Sequence, residues 1–255
     1  MAARVKKNNS TTVLYLYGVT QAPAQSVPEL HGVDGSSAIE AIECAGMVCW
    51  ISRVSANEYA EELAKNIENL DWLADRSTQH QRVVSAIAET YDILPARFGT
   101  VFLSEASLCA DVESRKKVLK ADFQRVTGSE EWGIKVFVLP PKLERSVSGR
   151  SGKEYLQAKS ALLQSRKPAG PDEEIGRFAQ ELEKLSVATA EGGKISGGRR
   201  DLQYQISLLL KRGDRKRLEG LLQRYSNHWK EQRKIEATGP WPPYSFVSRG
   251  REGSS

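Results

Sequence analysis

Nucleophilic or metal chemistry in this chain would have to be built from three histidines, His31, His80 and His228, and three cysteines, Cys44, Cys49 and Cys109. Each histidine falls in a different predicted element. No H-x-x-x-H or H-E-x-x-H pair occurs, which excludes a zincin helix. No G-x-S-x-G is present to place a serine on a nucleophile elbow. The cysteines are odd in number and fit neither a zinc pattern nor a C-x-x-C redox motif. They read as buried, reduced thiols of a cytosolic protein. His80 has apolar helical neighbours and reads as a packed or capping histidine. The scattered histidines argue against a small-molecule enzyme with its pocket between two domains, a reading that stays open at this point, and no catalytic residue, cofactor or metal site is singled out.

Two glycine-rich stretches invite comparison with phosphate cradles. Gly149-Arg-Ser-Gly-Lys153 opens a predicted helix, where backbone N–H groups attract anions. A P-loop, however, needs four residues between its glycines and Ser or Thr after the lysine. Here two residues intervene and Glu154 follows. Gly192-Gly-Lys-Ile-Ser-Gly-Gly198 has no strand before it and lacks the G-x-G-x-x-G order. Both read as linker and loop. Residues 194–236 hold twelve basic side chains against five acidic ones, so a nucleic-acid-binding regulator is the alternative reading. Against it, Leu218, Leu221, Leu222, Tyr225 and Trp229 form an apolar stripe on the same predicted helix. No aromatic RNA-binding sheet motif accompanies the charge either, so nucleic acid is not the favoured partner.

The most informative stretch is Gly239-Pro-Trp-Pro-Pro-Tyr-Ser-Phe246. Its prolines make it stiff and extended. Trp241, Tyr244 and Phe246 carry a large apolar area that a loose tail has no reason to hold. The tail must dock on its own chain or on a partner, and both destinations stay open at this stage.

The elements that would position these residues follow from periodicity. A chain of 255 residues with 40% hydrophobic residues and net charge +5 is long enough for one or two domains with real cores. No apolar run is long enough to span a bilayer, and no secretory signal is read at the N-terminus. Val13–Tyr17 is a predicted strand. Residues 37–43 fit strand or helix, with strand favoured. Met47–Val54 is a strand, and Ala45-Gly46 predicts a tight hairpin between the two. Ser55 and Glu58 have capping-box spacing before a helix over 56–73. A second helix is expected over 78–91, a strand over 98–103, and a third helix from Ser104 or Ser107 to about Val126. Trp132–Leu139 alternates as a strand. This block argues an α+β sandwich of ferredoxin-like type over 13–145.

A mainly helical domain with one strand is expected over 146–236, with helices over 153–166, 172–190 and 214–235 and a strand over 203–210. The docked tail covers 237–247. Residues 1–12 and 248–255 are expected to be flexible.

Five stretches in this order carry a resemblance: Leu14-Tyr-Leu-Tyr-Gly-Val19, Leu94-Pro-Ala-Arg-Phe-Gly-Thr-Val-Phe102, Glu131-Trp-Gly-Ile-Lys-Val136, Gly152-Lys-Glu-Tyr-Leu156 and Gly239-Pro-Trp-Pro-Pro-Tyr-Ser-Phe-Val247. Together the chain resembles the gas vesicle protein F / protein L family (GvpF/GvpL) over about residues 13–247. It departs at Ala96, where the family pattern has a larger residue. The resemblance implies a modified ferredoxin-like N-terminal domain, a mainly helical C-terminal domain and a non-enzymatic accessory role in gas vesicle assembly. The implied partner is the major shell protein, a small hydrophobic subunit, with other gas vesicle accessory proteins beside it. No membrane partner is implied. The implied location is the cytoplasm, on the vesicle, as a minor component. Arg97, Phe98, Trp132, Trp241, Tyr244 and Phe246 are the candidate partner or inter-domain contacts.

Overall fold

The β-forming run near the N-terminus becomes β1, Thr12–Thr20, the hub of the first sheet. Every residue from Val13 to Thr20 is buried, as a continuous apolar strand covered on both faces must be. The computed structural model describes residues 12–21, 26–140, 172–191 and 201–248. The expected helix over 153–166, the glycine stretches at 149–153 and 192–198, and nearly all of both termini lie outside these residues. β3 (Met47–Ser55) pairs antiparallel along one side of β1, and β4 (Ile93–Pro95) and β5 (Val101–Phe102) pair along the other. β2 (Glu40–Cys44) flanks β3. The hairpin at Ala45-Gly46 is present. Both residues have positive φ, 57° and 75°, as a two-residue turn of right-handed twist requires. A bulge in β1 falls between Leu16 and Gly18, and a Cβ on Gly18 would stand 2.6 Å from the Leu94 carbonyl oxygen.

Register decides which face of this sheet meets which helix. Val13 and Tyr15 of β1 share a face with Val48, Trp50 and Val54 of β3, and α2 (Leu70–Thr90) packs there through Val83, Val84 and Ile87. Cys44, Met47, Cys49 and Ile51 point to the other face. On that side Cys44 joins Cys109 of α3 (Glu105–Val126) in a disulfide, with Cα atoms 4.8 Å apart. The sheet therefore lies between the two helices. The expectation of three reduced thiols is corrected: only Cys49 is free, and it is buried. The pair was not readable because 65 residues separate its members, and only the packing of α3 against β2 brings them together.

The predicted helices shift for local reasons. The stretch expected as one helix over 56–73 is a π-helical turn (Asn57–Glu61), a short α1 (Leu63–Glu68) and the start of α2. Asn69 makes the break, its side chain accepting from the Asp71 and Trp72 amides as an N-cap. From there α2 runs unbroken through the gap expected at 74–77. At the other end Ser104 and Ser107 cap α3 reciprocally. The strand expected over 98–103 shrinks to β5.

The second group of elements corrects the expectation of a single strand over 146–236. β6 (Ser129–Val138), β7 (Ala188–Glu191), β8 (Leu202–Lys211) and β9 (Arg233–Trp241) form a four-stranded sheet in the order β7-β8-β6-β9. Only two helices of five or more residues accompany it among the described residues, α4 (Glu173–Leu185) and α5 (Arg215–Trp229). Their buried Phe178, Leu182, Leu218 and Trp229 pack on Ile134, Val136, Ile206, Leu208 and Leu210. The helix expected over 172–190 stops at Leu185, because the β-forming Val187 and Thr189 continue into pairing with β8. The helix expected over 214–235 stops at Trp229, and Arg233–Trp241 joins the sheet.

The chain thus divides into one compact unit of residues 1–131 with 240–255, and a second of 132–239. The division differs from the expected one at 145/146. β6 belongs to the second sheet, and the segment after β9 returns to the first unit. No helix among the described residues is long and apolar enough to cross a membrane.

Candidate functional site

The tail is where the sequence concentrated its aromatic residues, and in the first unit its anchorage is specific. Tyr244–Phe246 forms one 3-10 turn after Pro242-Pro243. The Tyr244 ring packs on the cluster of Tyr15, Tyr17, Trp50 and Ile87. Its hydroxyl lies 3.2 Å from His80 Nε2, and the Tyr15 hydroxyl lies 3.0 Å from His80 Nδ1. Tyr15 already accepts the Gly99 amide at 3.1 Å, so its own proton is best placed on Nδ1. That assignment leaves Nε2–H to donate to Tyr244. Glu131, buried, accepts both the amide and the hydroxyl of Ser245, at 2.8 and 2.6 Å. Asp122, buried, accepts both from Ser248, each at 2.8 Å, and pairs with Arg125. Arg125 Nε in turn donates to the Phe246 carbonyl at 3.0 Å.

His80, Tyr15 and Tyr244 hold shape and do no proton chemistry near neutral pH. Burial lowers His80 to about 4, against a smaller upward pull from the Ala96 carbonyl. Burial raises both Tyr15 and Tyr244. The Cys49 thiol is pushed up to about 12 by burial and by the charge of Asp111, so it is no nucleophile.

Of the expected contacts, the structure brings three to the tail's seat. Phe98 is half-buried, its ring 6.0 Å from His80 and 6.1 Å from Trp72, and it closes the same cluster as Tyr244. Phe246 is 6% exposed. These three are internal contacts. Arg97 is exposed, and its carbonyl accepts the Thr100 amide and hydroxyl in a turn. Trp132 lies in the other unit, packed against the cluster of Ile134 and Phe178. Trp241, 42% exposed at the end of β9, is the one tail aromatic that points outward. Sequence reasoning missed Asp122, Arg125 and Glu131, whose charges looked like ordinary solvated helix and strand positions.

The second unit holds a cavity of about 320 Å³ lined by Glu174, Arg177, Glu181, Arg224, Tyr225 and His228. Its carboxylates are already engaged. Glu174 accepts from Arg233, Trp229 and His228, at 2.6, 3.1 and 3.1 Å. Glu181 accepts from Tyr225 and pairs with Arg224. Hydrogen bonds from Arg233 and His228 lower Glu174, and those from Tyr225 and Arg224 lower Glu181, so neither is a general acid. No group of three or more potential metal ligands occurs among the described residues.

The model of the family "Gas vesicle synthesis protein GvpL/GvpF" matches residues 13–248. This chain belongs to the GvpL/GvpF family. It is 26% identical over 253 residues to gas vesicle protein L of Streptomyces sp. (strain CB03234), covering 93% of this chain and 94% of that one. It shares the fold of the GvpF crystal structure from Anabaena sp. PCC7120 at TM-score 0.68 and 20% identity, covering 96% of this chain and 99% of that one. GvpF from Microcystis aeruginosa matches at TM-score 0.65 and 20% identity, covering 93% and 99%. Membership gives the chain a role in the gas vesicle. The family is one of gas vesicle proteins and is not a known enzyme family.

Proposed function

We propose that this chain is a non-enzymatic assembly factor that binds the small hydrophobic shell subunit of the gas vesicle and assists early vesicle formation. It acts in the cytoplasm and remains a minor component of the vesicle. The first unit serves as the modified ferredoxin-like domain of the family. A shell monomer exposes apolar helix and strand surface before it polymerises, and a protein that covers this surface suppresses off-pathway aggregation. Hand-over requires a small or labile contact.

One observation supports this reading above the others. The tail is pinned by half-buried Tyr244 and buried Phe246, yet it holds the Trp241 side chain half in solvent. A large aromatic on a rigid support loses little conformational freedom on binding and is the residue type that dominates contact surfaces.

The test is co-expression with the small shell protein and a tagged pull-down from soluble lysate. Soluble shell protein is expected to co-purify. Trp241→Ala is expected to lose most of that capture while shifting stability by no more than about 0.5 kcal/mol. A folded wild-type chain that leaves the shell protein wholly aggregated would sink direct capture. Full capture by Trp241→Ala would remove Trp241 from the contact.

A further inference from the structure

The cavity of the second unit is built from one face of each of its helices. Glu174, Arg177 and Glu181 follow at i, i+3 and i+7 on α4, and Arg224, Tyr225 and His228 at i, i+1 and i+4 on α5. Packing stiffens it from below. The Tyr225 ring lies against Phe178 and Trp229, with centroids 4.7 and 5.0 Å apart. The shell-binding role proposed above uses none of these residues.

Arg177 is the member of this set that its neighbours leave unused. It is exposed, and it stands one turn from a carboxylate on either side, Glu174 at i−3 and Glu181 at i+4. These are the ordinary partners of a helical arginine. Both are spent on other donors: Glu174 on Arg233, Trp229 and His228, and Glu181 on Arg224 and Tyr225. Arg177 makes no hydrogen bond or ion pair among the described residues, although its charge is felt by the Tyr225 phenol. Acceptors in the lining are therefore satisfied and donors are left over. Arg177 keeps its whole guanidinium, while Arg224 gives only Nη2 to Glu181 and His228 only Nε2 to Glu174. Counting Arg233, which holds Glu174, three guanidinium charges stand against two carboxylates.

We propose that this cavity binds a small oxyanion, a carboxylate or phosphate group carried by a small molecule, with Arg177 as its anchor and the remaining N–H groups of Arg224 and His228 beside it. A planar guanidinium offers two parallel N–H donors that suit either group. A volume of about 320 Å³ is at the small end of ligand pockets, which sets the ligand at the size of a small organic acid or phosphate ester. Bound there, the anion ties α4 to α5 a second time, next to the link through Glu181.

The test is amide NMR of the full chain, titrated with inorganic phosphate and, separately, with succinate, at an ionic strength held constant with chloride. At least one arm should give shifts that saturate below about 10 mM and centre on α4 and α5. The arm that binds identifies the oxyanion. Arg177→Gln should weaken that binding about tenfold or more, the effect of losing a charge-assisted pair of bonds. Arg177→Lys should recover part of it, because an ammonium keeps the charge without the fork. Lys184→Gln removes the same charge from an exposed position of α4 outside the cavity, and it should change the affinity by less than about twofold. The melting curve of Arg177→Gln should match wild type, since no partner is lost. Shifts that fail to saturate in both arms overturn the proposal. So does binding that survives Arg177→Gln at full strength. Equal losses in Arg177→Gln and Lys184→Gln also overturn it, because they would make net charge, and not this cavity, the cause.

Discussion

In the first unit the polar groups that fix the fold are buried and largely neutral. Tyr15, His80 and Tyr244 form one chain inside the aromatic cluster, and Tyr17 donates to Ser52 while accepting the Val33 amide. In the second unit the polar groups are ions near the surface. Arg233 alone spans Asp172, Glu174 and Gln203, and Glu181 joins α4 to α5 through Arg224 and Tyr225. The difference follows from what each sheet needs. The first has helices on both faces and must satisfy polar atoms inside, where an orphan is expensive. The second can leave its polar ties at the rim, where each is individually weak but easily paired.

The strongest way to separate the units is reduction. All three cysteines belong to the first unit, and the Cys44–Cys109 bridge closes a loop of 65 residues. Loop-closure entropy gives such a link about 4 kcal/mol. Denaturant unfolding with and without reductant, followed by hydrogen exchange, should show protection falling in β1, β2 and α3 and unchanged in α4 and β8. Equal loss in both units would mean that they unfold as one. No loss would mean that the pair is reduced in solution, as the sequence alone implied.

Acidification should strike the first unit before the second. The folded His80 binds its proton only near pH 4, whereas an unfolded histidine does so near 6.5. The unfolded chain therefore binds more protons between these values. The stabilisation is complete above pH 6.5 and is lost as pH falls toward 4, at roughly 1 kcal/mol per pH unit. In the second unit Asp172, Glu174 and Glu181 are lowered. Burial would raise Asp172, but the Ile175 amide, Arg233 and Gln203 outweigh it. Stabilisation from lowered carboxylates persists until pH drops below their ordinary values of 3.8 and 4.5. Hydrogen exchange at about pH 6.5, 5.5 and 4.5 should show the tail and α2 opening first. Simultaneous opening of α4 and α5 would remove His80 as the cause.

Much of this contrast was invisible in the sequence, and particular residues show why. The strands β1, β3, β6 and β8 were legible because their apolar residues run or alternate without interruption. The hairpin was legible because Ala45-Gly46 marks it. The second sheet was not, because β7 and β9 carry small, polar and charged residues over Ala188–Glu191 and Arg233–Trp241, and only pairing with β8 and β6 makes them strands. The tail's importance was readable from three prolines and three aromatics. Its direction was not, because Glu131 and Asp122 are ordinary acids until Ser245 and Ser248 fold onto them.

In the second unit Arg233→Met tests whether one ion organises the rim. The substitution keeps an apolar stem against Trp229, whose ring lies 5.0 Å from the guanidinium, and removes the charge shared by Asp172 and Glu174. Both carboxylates keep other donors, so the loss should be about 2 kcal/mol, less than for a fully orphaned buried charge. Arg233→Lys should recover only part of it, because a single ammonium cannot reproduce the planar fork. Urea unfolding measures both. A neutral Arg233→Met would show that the sheet and the Phe178–Trp229 packing suffice.

The smallest effect belongs to Tyr244→Phe, and it sharpens the comparison most. The ring stays in its cluster and only the hydroxyl that accepts from His80 is lost. In the interior this leaves the ring N–H only the Ala96 carbonyl and should cost about 1 kcal/mol. Its reach should be short, confined to exchange protection over residues 244–248, because Ser245, Phe246 and Ser248 have their own anchors in Glu131, Arg125 and Asp122. The same substitution should also lessen the acid sensitivity between pH 6.5 and 4, since the imidazole of His80 gains access to water more readily once the tail is held less firmly over it. If stability falls by as much as in Arg233→Met, the tail is held chiefly through His80, and the buried chain is a single cooperative device. If it does not change at all, the ring and the two buried carboxylates hold the tail. The first unit would then rest, like the second, on ions paired with their neighbours.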